Sequence, residues 1–217
     1  MSHLLETALL ILCLLDFLLL TSHQLRTGIQ WVALQGVLVG LLPLSVHSSK
    51  PFVYLFLFSL LSVFIKGWVF PFFLSRAIRD VSVNRESEPL LGMFPSIALS
   101  VLALGLSFVA ASRLPTLTLQ VPSLNLAMGF FTMAVGFLIL IGRRLAVSQI
   151  LGYLVLENGI YVLGVSLALE QPLLVELGVL LDVFVAVFVM GVIVFHIQRE
   201  FDHIDTNRLS TLKDNKP

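Results

Sequence analysis

Asp16 in "LLILCLLDFLLL", Lys66 in "SVFIKGWVFPFFL", Glu157 in "GYLVLENGIYVLG", and Glu176 and Asp182 in "VELGVLLDVF" all fall inside apolar runs. An ionised side chain facing lipid at mid-depth costs on the order of 3 kcal/mol or more. Residues of this kind face a bundle interior, a watery cavity or a partner subunit, and they mark routes for protons or ions. The candidate chemistry is therefore proton uptake and release by carboxyl groups, with a cation near enough to tune them.

Depth sharpens the choice. At about 1.5 Å of rise per residue, Glu157 sits about eleven residues from the start of its apolar run and Asp182 about ten from the start of the next. Both come out near the middle of a membrane, on consecutive antiparallel helices. Two carboxyls at one depth in a low dielectric resist being ionised together, which leaves one of them able to bind a proton. Tyr161 is one turn from Glu157 on the same face, within reach of a hydrogen bond, and Asn158 could hold a water. Glu176 is only about four residues into its run, close enough to an interface to be solvated. Lys66 is followed by Pro71, which removes a backbone hydrogen bond and opens a place for a kink or a bound water. Asp16 and Lys66 fall in corresponding halves of their helices. Two readings of the lysine stay open: a structural pair with Asp16, or a relay cation that pairs elsewhere.

The elements that must carry these residues are membrane helices. The chain has 217 residues, of which 58% are hydrophobic and 12% charged, and its mean hydropathy is +1.00. Water-soluble domains carry about 25% charged residues. Apolar runs of about 20 residues recur, the length that crosses a bilayer core as a helix, and the period-2 alternation of a membrane barrel is absent. The pattern predicts an all-α, polytopic protein with seven spans at roughly 3–21, 29–47, 51–75, 91–112, 122–142, 146–168 and 172–197. The first run lacks a basic leader and a small-residue cleavage site, so it reads as a true first helix and not a signal peptide.

Charge distribution sets the expected orientation. Seven spans put Lys50 and Arg113 on one side. Arg26, Arg76, Arg79, Arg85, Arg143, Arg144, Arg199, Arg208, Lys213 and Lys216 fall on the other. Basic residues concentrate on the cytoplasmic side, which predicts an outer N-terminus and a cytoplasmic C-terminus in a cell inner membrane. The expected organisation is a four-helix membrane region at 1–115, a three-helix membrane region at 116–200 and a polar cytoplasmic tail at 201–217. Spans 1–3 and 5–7 align loosely, as a diverged duplication or as chance likeness among apolar helices.

Other chemistry is scarce. The histidines (His3, His23, His47, His196, His203) lie at span ends or in the tail without metal-ligand spacing, and Cys13 reads as a small buried hydrophobe. No phosphate loop, nucleophile elbow, paired CxxC or haem motif is present, and nothing points to nucleic acid. Glycines in "GFFTMAVGFLILIG" and at Gly152, Gly159 and Gly164 provide small faces for close helix packing. The residues describe a membrane subunit with no cofactor or catalytic centre of its own.

The stretch "GRRLAVSQILGYLVLENGIYVLGVSLALEQPLLVELGVLLDVFVAVFVMGVIVFHI" and the tail "HIDTNRLSTLKD" resemble the component E family of hydrogenase-4, a membrane subunit of formate-hydrogenlyase-type, group 4 hydrogenase complexes. The resemblance covers essentially the whole chain and is most specific from Arg143 to Lys213. The last three spans also resemble the three-helix K-type subunit of respiratory complex I and the C subunit of multisubunit cation/proton antiporters. The resemblance implies a non-catalytic place in a membrane arm, beside antiporter-like subunits. Hydrophilic hydrogenase and iron–sulfur subunits would lie on the cytoplasmic side, carrying the [NiFe] centre and the iron–sulfur clusters. It further implies lateral proton transfer by an intramembrane acid on each of the last two helices. The first acid maps onto Glu157. The second maps onto Asp182, with Glu176 about two turns earlier as the alternative. Three other roles stay open: a scaffold whose buried charges only fix packing, a subunit of a cation/proton antiporter, and a free-standing carrier or receptor.

Overall fold

The computed structural model describes residues 2–22, 24–45, 52–81, 92–114, 123–143 and 145–167. All of the regular structure among them is helical, as expected from the apolar runs. In chain order the helices are α1 (Ser2–Thr21), α2 (Leu25–Ser45), α3 (Phe52–Phe64), a π-helical turn (Ile65–Val69), α4 (Phe70–Val81), α5 (Met93–Arg113), α6 (Ser123–Gly142) and α7 (Ala146–Leu167). α3, the π turn and α4 form one continuous rod. Five helical stretches are long and apolar enough to cross a membrane: Leu25–Ser45, Phe52–Arg76, Phe94–Arg113, Ser123–Gly142 and Val147–Ser166. The chain is a multi-pass membrane protein. The seventh expected span at 172–197, with Glu176 and Asp182, and the tail at 201–217 lie outside the described residues.

α6 and α7 form the most extensive helix pair. α5 packs on the outside of α6, α1 lies against α2 and α6, and α2 bridges α7 to the α3–α4 rod. The closeness of α6 and α7 comes from glycine. A Cβ on Gly136 would fall 2.5 Å from the backbone nitrogen of Leu156, and one on Gly159 would fall 2.5 Å from that of Met133. Association between apolar helices in lipid depends on such close van der Waals contact, because burying apolar surface is not favoured over leaving it in lipid.

The distribution of side chains is that of a membrane bundle. On α5, Ser96, Ser100, Ser107 and Ala111 are buried while Val101, Leu102, Leu106, Phe108 and Val109 are exposed. Each of those three serines returns its hydroxyl to a backbone carbonyl of its own helix: Ser96 to Gly92, Ser100 to Ile97 and Ser107 to Ala103. On α3 the buried residues are Ser59 and Ser62, and the outer face carries Phe52, Phe56, Leu60 and Phe64, continued by Trp68 and Phe72. Small and hydroxylated residues point inward and large apolar ones outward, which is stable only where the surroundings are themselves apolar.

Arg143 ties one end of the bundle together. Its Nη2 donates to the carbonyls of Leu20 (3.2 Å) and Ser22 (2.7 Å), at the C-terminus of α1. Those carbonyls have no partner within the helix, and a cation there also meets the negative end of the helix dipole.

Candidate functional site: a buried polar layer

Five helical elements each contribute polar side chains to one level of the bundle. α1 brings Asp16, α2 Gln35, the π turn Lys66, α6 Thr132, and α7 Glu157 and Asn158, all no more than 4% exposed. Glu157 Oε1 accepts from the Lys66 ammonium at 2.6 Å, an ion pair buried on both sides. The same ammonium donates to Asn158 Oδ1 at 3.2 Å and lies 4.7 Å from the centre of the Tyr161 ring. Asn158 Nδ2 in turn donates to Gln35 Oε1 at 3.4 Å, and Gln35 Nε2 donates to Asp16 Oδ1 at 2.7 Å. The other carboxyl oxygen of Asp16 accepts from the Thr132 hydroxyl at 2.7 Å. The result is one hydrogen-bonded chain running Glu157–Lys66–Asn158–Gln35–Asp16–Thr132.

Local sequence explains how the lysine reaches this level. Lys66 lies in a π turn closed by a bond from the Phe70 amide to the Ile65 carbonyl. Pro71 follows, with no amide hydrogen to donate and a ring that would collide with the carbonyl four residues back. Widening the preceding turn relieves that collision. The irregularity expected from Pro71 is therefore present, in the form of a π turn, a feature often found at functional sites. α2 then comes unusually close to this turn. A Cβ on Gly36 would lie 2.7 Å from Lys66 Cβ, and one on Gly40 would lie 3.0 Å from the Val63 nitrogen. Ser59, Ser62 and Lys66 share the face of the rod turned toward α2, since they fall three and seven residues apart.

Two apolar clusters close the layer above and below. The first gathers Leu19 and Leu20 of α1, Leu25, Ile29 and Val32 of α2, Phe70 and Leu74 of α4, Val135 and Ile139 of α6, and Ile150 to Val155 on α7. The second gathers Leu9 and Leu12, Val39 and Leu42, Met128, and Tyr161 and Val162. Asp16 lies between Leu12 and Leu19, Gln35 between Val32 and Val39, Thr132 between Met128 and Val135, and Glu157 between Val155 and Tyr161. Cys13 is half-buried and packs against both clusters. Burial of such groups is tolerated only because each is matched: a carboxylate or ammonium stripped of water needs a counter-charge and hydrogen bonds.

The layer shows which acid Lys66 meets. The ammonium closes on Glu157, while Asp16 is held by Gln35 and Thr132 and meets the lysine through the two amides. Glu157, Lys66 and Asp16 thus come together as one network. Tyr161 joins them with its ring face toward the ammonium. Asn158, expected to hold a water, is an integral link. Gln35 and Thr132 were not among the expected residues. Gln35 had a signal, an amide in the middle of the apolar "WVALQGVLVG" run. Thr132 had none, because threonine is common in membrane helices.

Comparison with known proteins places the chain among bacterial relatives. It is 29% identical over 207 residues to an uncharacterized protein of Mycobacterium tuberculosis, a match covering 94% of this chain and 93% of that one. It is 37% identical over 76 residues to hydrogenase-4 component E of Escherichia coli, covering 35% of each chain, and a Shigella flexneri protein of the same name matches equally. The likeness to hydrogenase-4 component E, expected along essentially the whole chain, is confined in these relatives to about a third of it. No family model matches the chain, and no solved structure matches it.

Proposed function

We propose that this chain is a non-catalytic membrane-arm subunit of a group 4 hydrogenase-type or related complex-I-like assembly, and that its buried layer forms part of a proton (or Na⁺) path. The observation that carries this reading is the Lys66–Glu157 pair, buried on both sides and joined to a second carboxyl by a chain of amides. A carboxyl at this depth with a movable counter-charge is the equipment of a proton relay. The partial likeness to hydrogenase-4 component E supports the kind of assembly, and the broad apolar outer faces of α3 and α5 suit lipid and neighbouring membrane subunits. In this reading antiporter-like subunits flank the chain, and the [NiFe] centre and iron–sulfur clusters belong to hydrophilic partners on the cytoplasmic side. The Arg143 end of the bundle then faces the cytoplasm of a bacterial inner membrane. Asp182 or Glu176 supplies a further acid.

Glu157→Gln, made in the whole complex and assayed for proton pumping in membrane vesicles, tests the relay. Pumping should fall severely while the complex stays assembled; undiminished pumping by a fully assembled complex rejects it. A scaffold role is favoured by the way Lys66, Asn158, Gln35 and Asp16 are each engaged by a neighbour. It predicts instead that Glu157→Gln removes the complex from native gels.

A further inference from the structure

Of the 13 residues in α3, two are buried, and both are serines, Ser59 and Ser62. A serine inside a membrane helix can satisfy itself by donating to the carbonyl three or four residues back. Ser96, Ser100 and Ser107 on α5 do so, and Ser166 on α7 donates to Val162 at 2.7 Å. Ser59 and Ser62 have the same option in the Leu55 and Phe58 carbonyls and do not take it. Among the described residues neither Oγ has a hydrogen-bond partner, although Ser59 is 1% exposed and Ser62 4%. A buried hydroxyl turned away from its own backbone requires a partner in the space it faces.

That space is the seam between α2 and α3. The two helices pack directly, and a Cβ on Gly40 would lie 3.4 Å from the carbonyl carbon of Ser62. The carbonyl joined to the Gly40 nitrogen belongs to Val39. Its helical donor would come from Pro43, which has no amide hydrogen, so α2 leaves an acceptor without its usual donor beside Ser62. Pro43 is itself buried, on the face of α2 that carries Gly36 and Gly40. Two hydroxyls, each able to donate and accept, thus meet a carbonyl between two helices. Water matches that chemistry, because it occupies little room and needs two to four polar partners.

The polar column is short. At about 1.5 Å per residue, Ser62 stands about 6 Å and Ser59 about 10 Å along the rod from Lys66. Beyond Ser59 the same face continues with Leu55 and Phe52, four and seven residues earlier, which offer no polar side chain.

We propose that the α2–α3 seam holds ordered water on the Ser59 and Ser62 hydroxyls and the Val39 carbonyl, one to two turns from Lys66. The buried layer is then hydrated from one flank. As a supply of water to the relay, the site rests on the proposed function; as a hydration site, it rests on the two hydroxyls and the proline-freed carbonyl alone.

Water-edited solid-state NMR of the full-length chain in lipid bilayers, isotope-labelled at serine, reads the transfer of magnetisation from water to each Cβ. S59A and S62A assign the two signals by removing them. In wild type, transfer to Ser59 and Ser62 should exceed transfer to Ser100 and Ser107 several-fold, since those two serines are also buried but commit their hydroxyls to their own helix. In S62A the transfer to Ser59 should fall, because the water between them loses an anchor. P43A gives the Val39 carbonyl back its donor and should lower transfer to Ser62 while keeping both hydroxyls. Transfer to Ser59 and Ser62 no greater than to Ser100 and Ser107 overturns the site, whatever group satisfies the hydroxyls instead. Undiminished transfer to Ser62 in P43A overturns the carbonyl's part in it. The decisive reading is made on the wild-type chain, so a variant that fails to fold does not void it. Wet hydroxyls with undiminished pumping in E157Q would reject the relay and keep the site; dry hydroxyls with pumping lost would do the reverse.

Discussion

The Cβ of Lys66 occupies the space that a side chain at Gly36 would need: a Cβ built there lies 2.7 Å from it and 3.3 Å from the lysine's own carbonyl group. The position of the buried cation is thus set by the absence of a methyl group on the facing helix. Gly36→Ala should push α2 away from the π turn and lengthen the Lys66–Asn158 and Asn158–Gln35 contacts. Overpacking of this kind costs about 1–3 kcal/mol. A lowered melting temperature of the purified protein checks it.

The α6–α7 seam makes a sharper comparison. Gly136→Ala and Gly159→Ala place a methyl 2.5 Å from backbone nitrogen, which cannot swing aside as a side chain can. Among the described residues, Gly105→Ala and Gly164→Ala meet nothing within 4 Å. The first two should destabilise strongly. The last two should be neutral or stabilise by up to about 1 kcal/mol through helix propensity. Thermal melts of the four variants side by side decide it.

For the ion pair, Lys66→Met leaves Glu157 without its counter-charge, and removing one partner of a buried pair costs about 3–5 kcal/mol. Combining it with Glu157→Gln removes both charges and should recover much of the loss. A double-mutant cycle on denaturation in detergent measures the difference; additivity of the two single changes would show that the pair contributes nothing beyond its parts.

At the other end of the network, Asp16 accepts from Gln35 and Thr132. Thr132→Val keeps the shape but removes one donor to a buried carboxyl and should cost about 1–3 kcal/mol. Thr132→Ser, which keeps the hydroxyl, should cost less. The ranking of the two variants in melting temperature is the check.

Arg143→Ala removes the cap on α1. The amides of the last turn of α1 should then exchange with solvent faster, while those of α6 away from its end keep their protection. Arg143→Lys should not restore the wild-type rate, because an ammonium lacks the planar, rigid donor set of guanidinium. Hydrogen exchange followed by mass spectrometry reads both.

Much of this was legible in the chain, for reasons that particular residues make plain. The helices at Ser123–Gly142 and Ala146–Leu167 were expected within a residue, because Pro122 and the Gly142–Arg143 break bound long apolar runs. The start of α2 at Leu25 was expected later, at 29, since the polar "HQLRTG" reads as loop; Thr27 instead donates to Gln24 at the helix start. Glu157, Lys66 and Asp16 were visible as charges out of place in lipid. Their partners were not. Lys66 and Glu157 are 91 residues apart, and which acid a buried lysine meets depends on helix rotation and close approach, here set by Gly36 and the π turn. Hydropathy carries neither. Gln35 shows the same limit: its burial is legible from the run around it, its two partners only from the packing of α2 against α1 and α7.

The two apolar clusters that sandwich the polar level give it an electrical character. A charge moved along the bundle axis would work against the membrane voltage, about 2.3 kcal/mol per 100 mV for a full crossing. Under the proposed function, a charge handed on within this one level of the bundle would cross little of that field. Exchange within the layer should therefore run at the same rate in an energised and a de-energised membrane. Under the proposed function, the clusters above and below would insulate the level, so that charge handed on within it would not leak along the bundle axis.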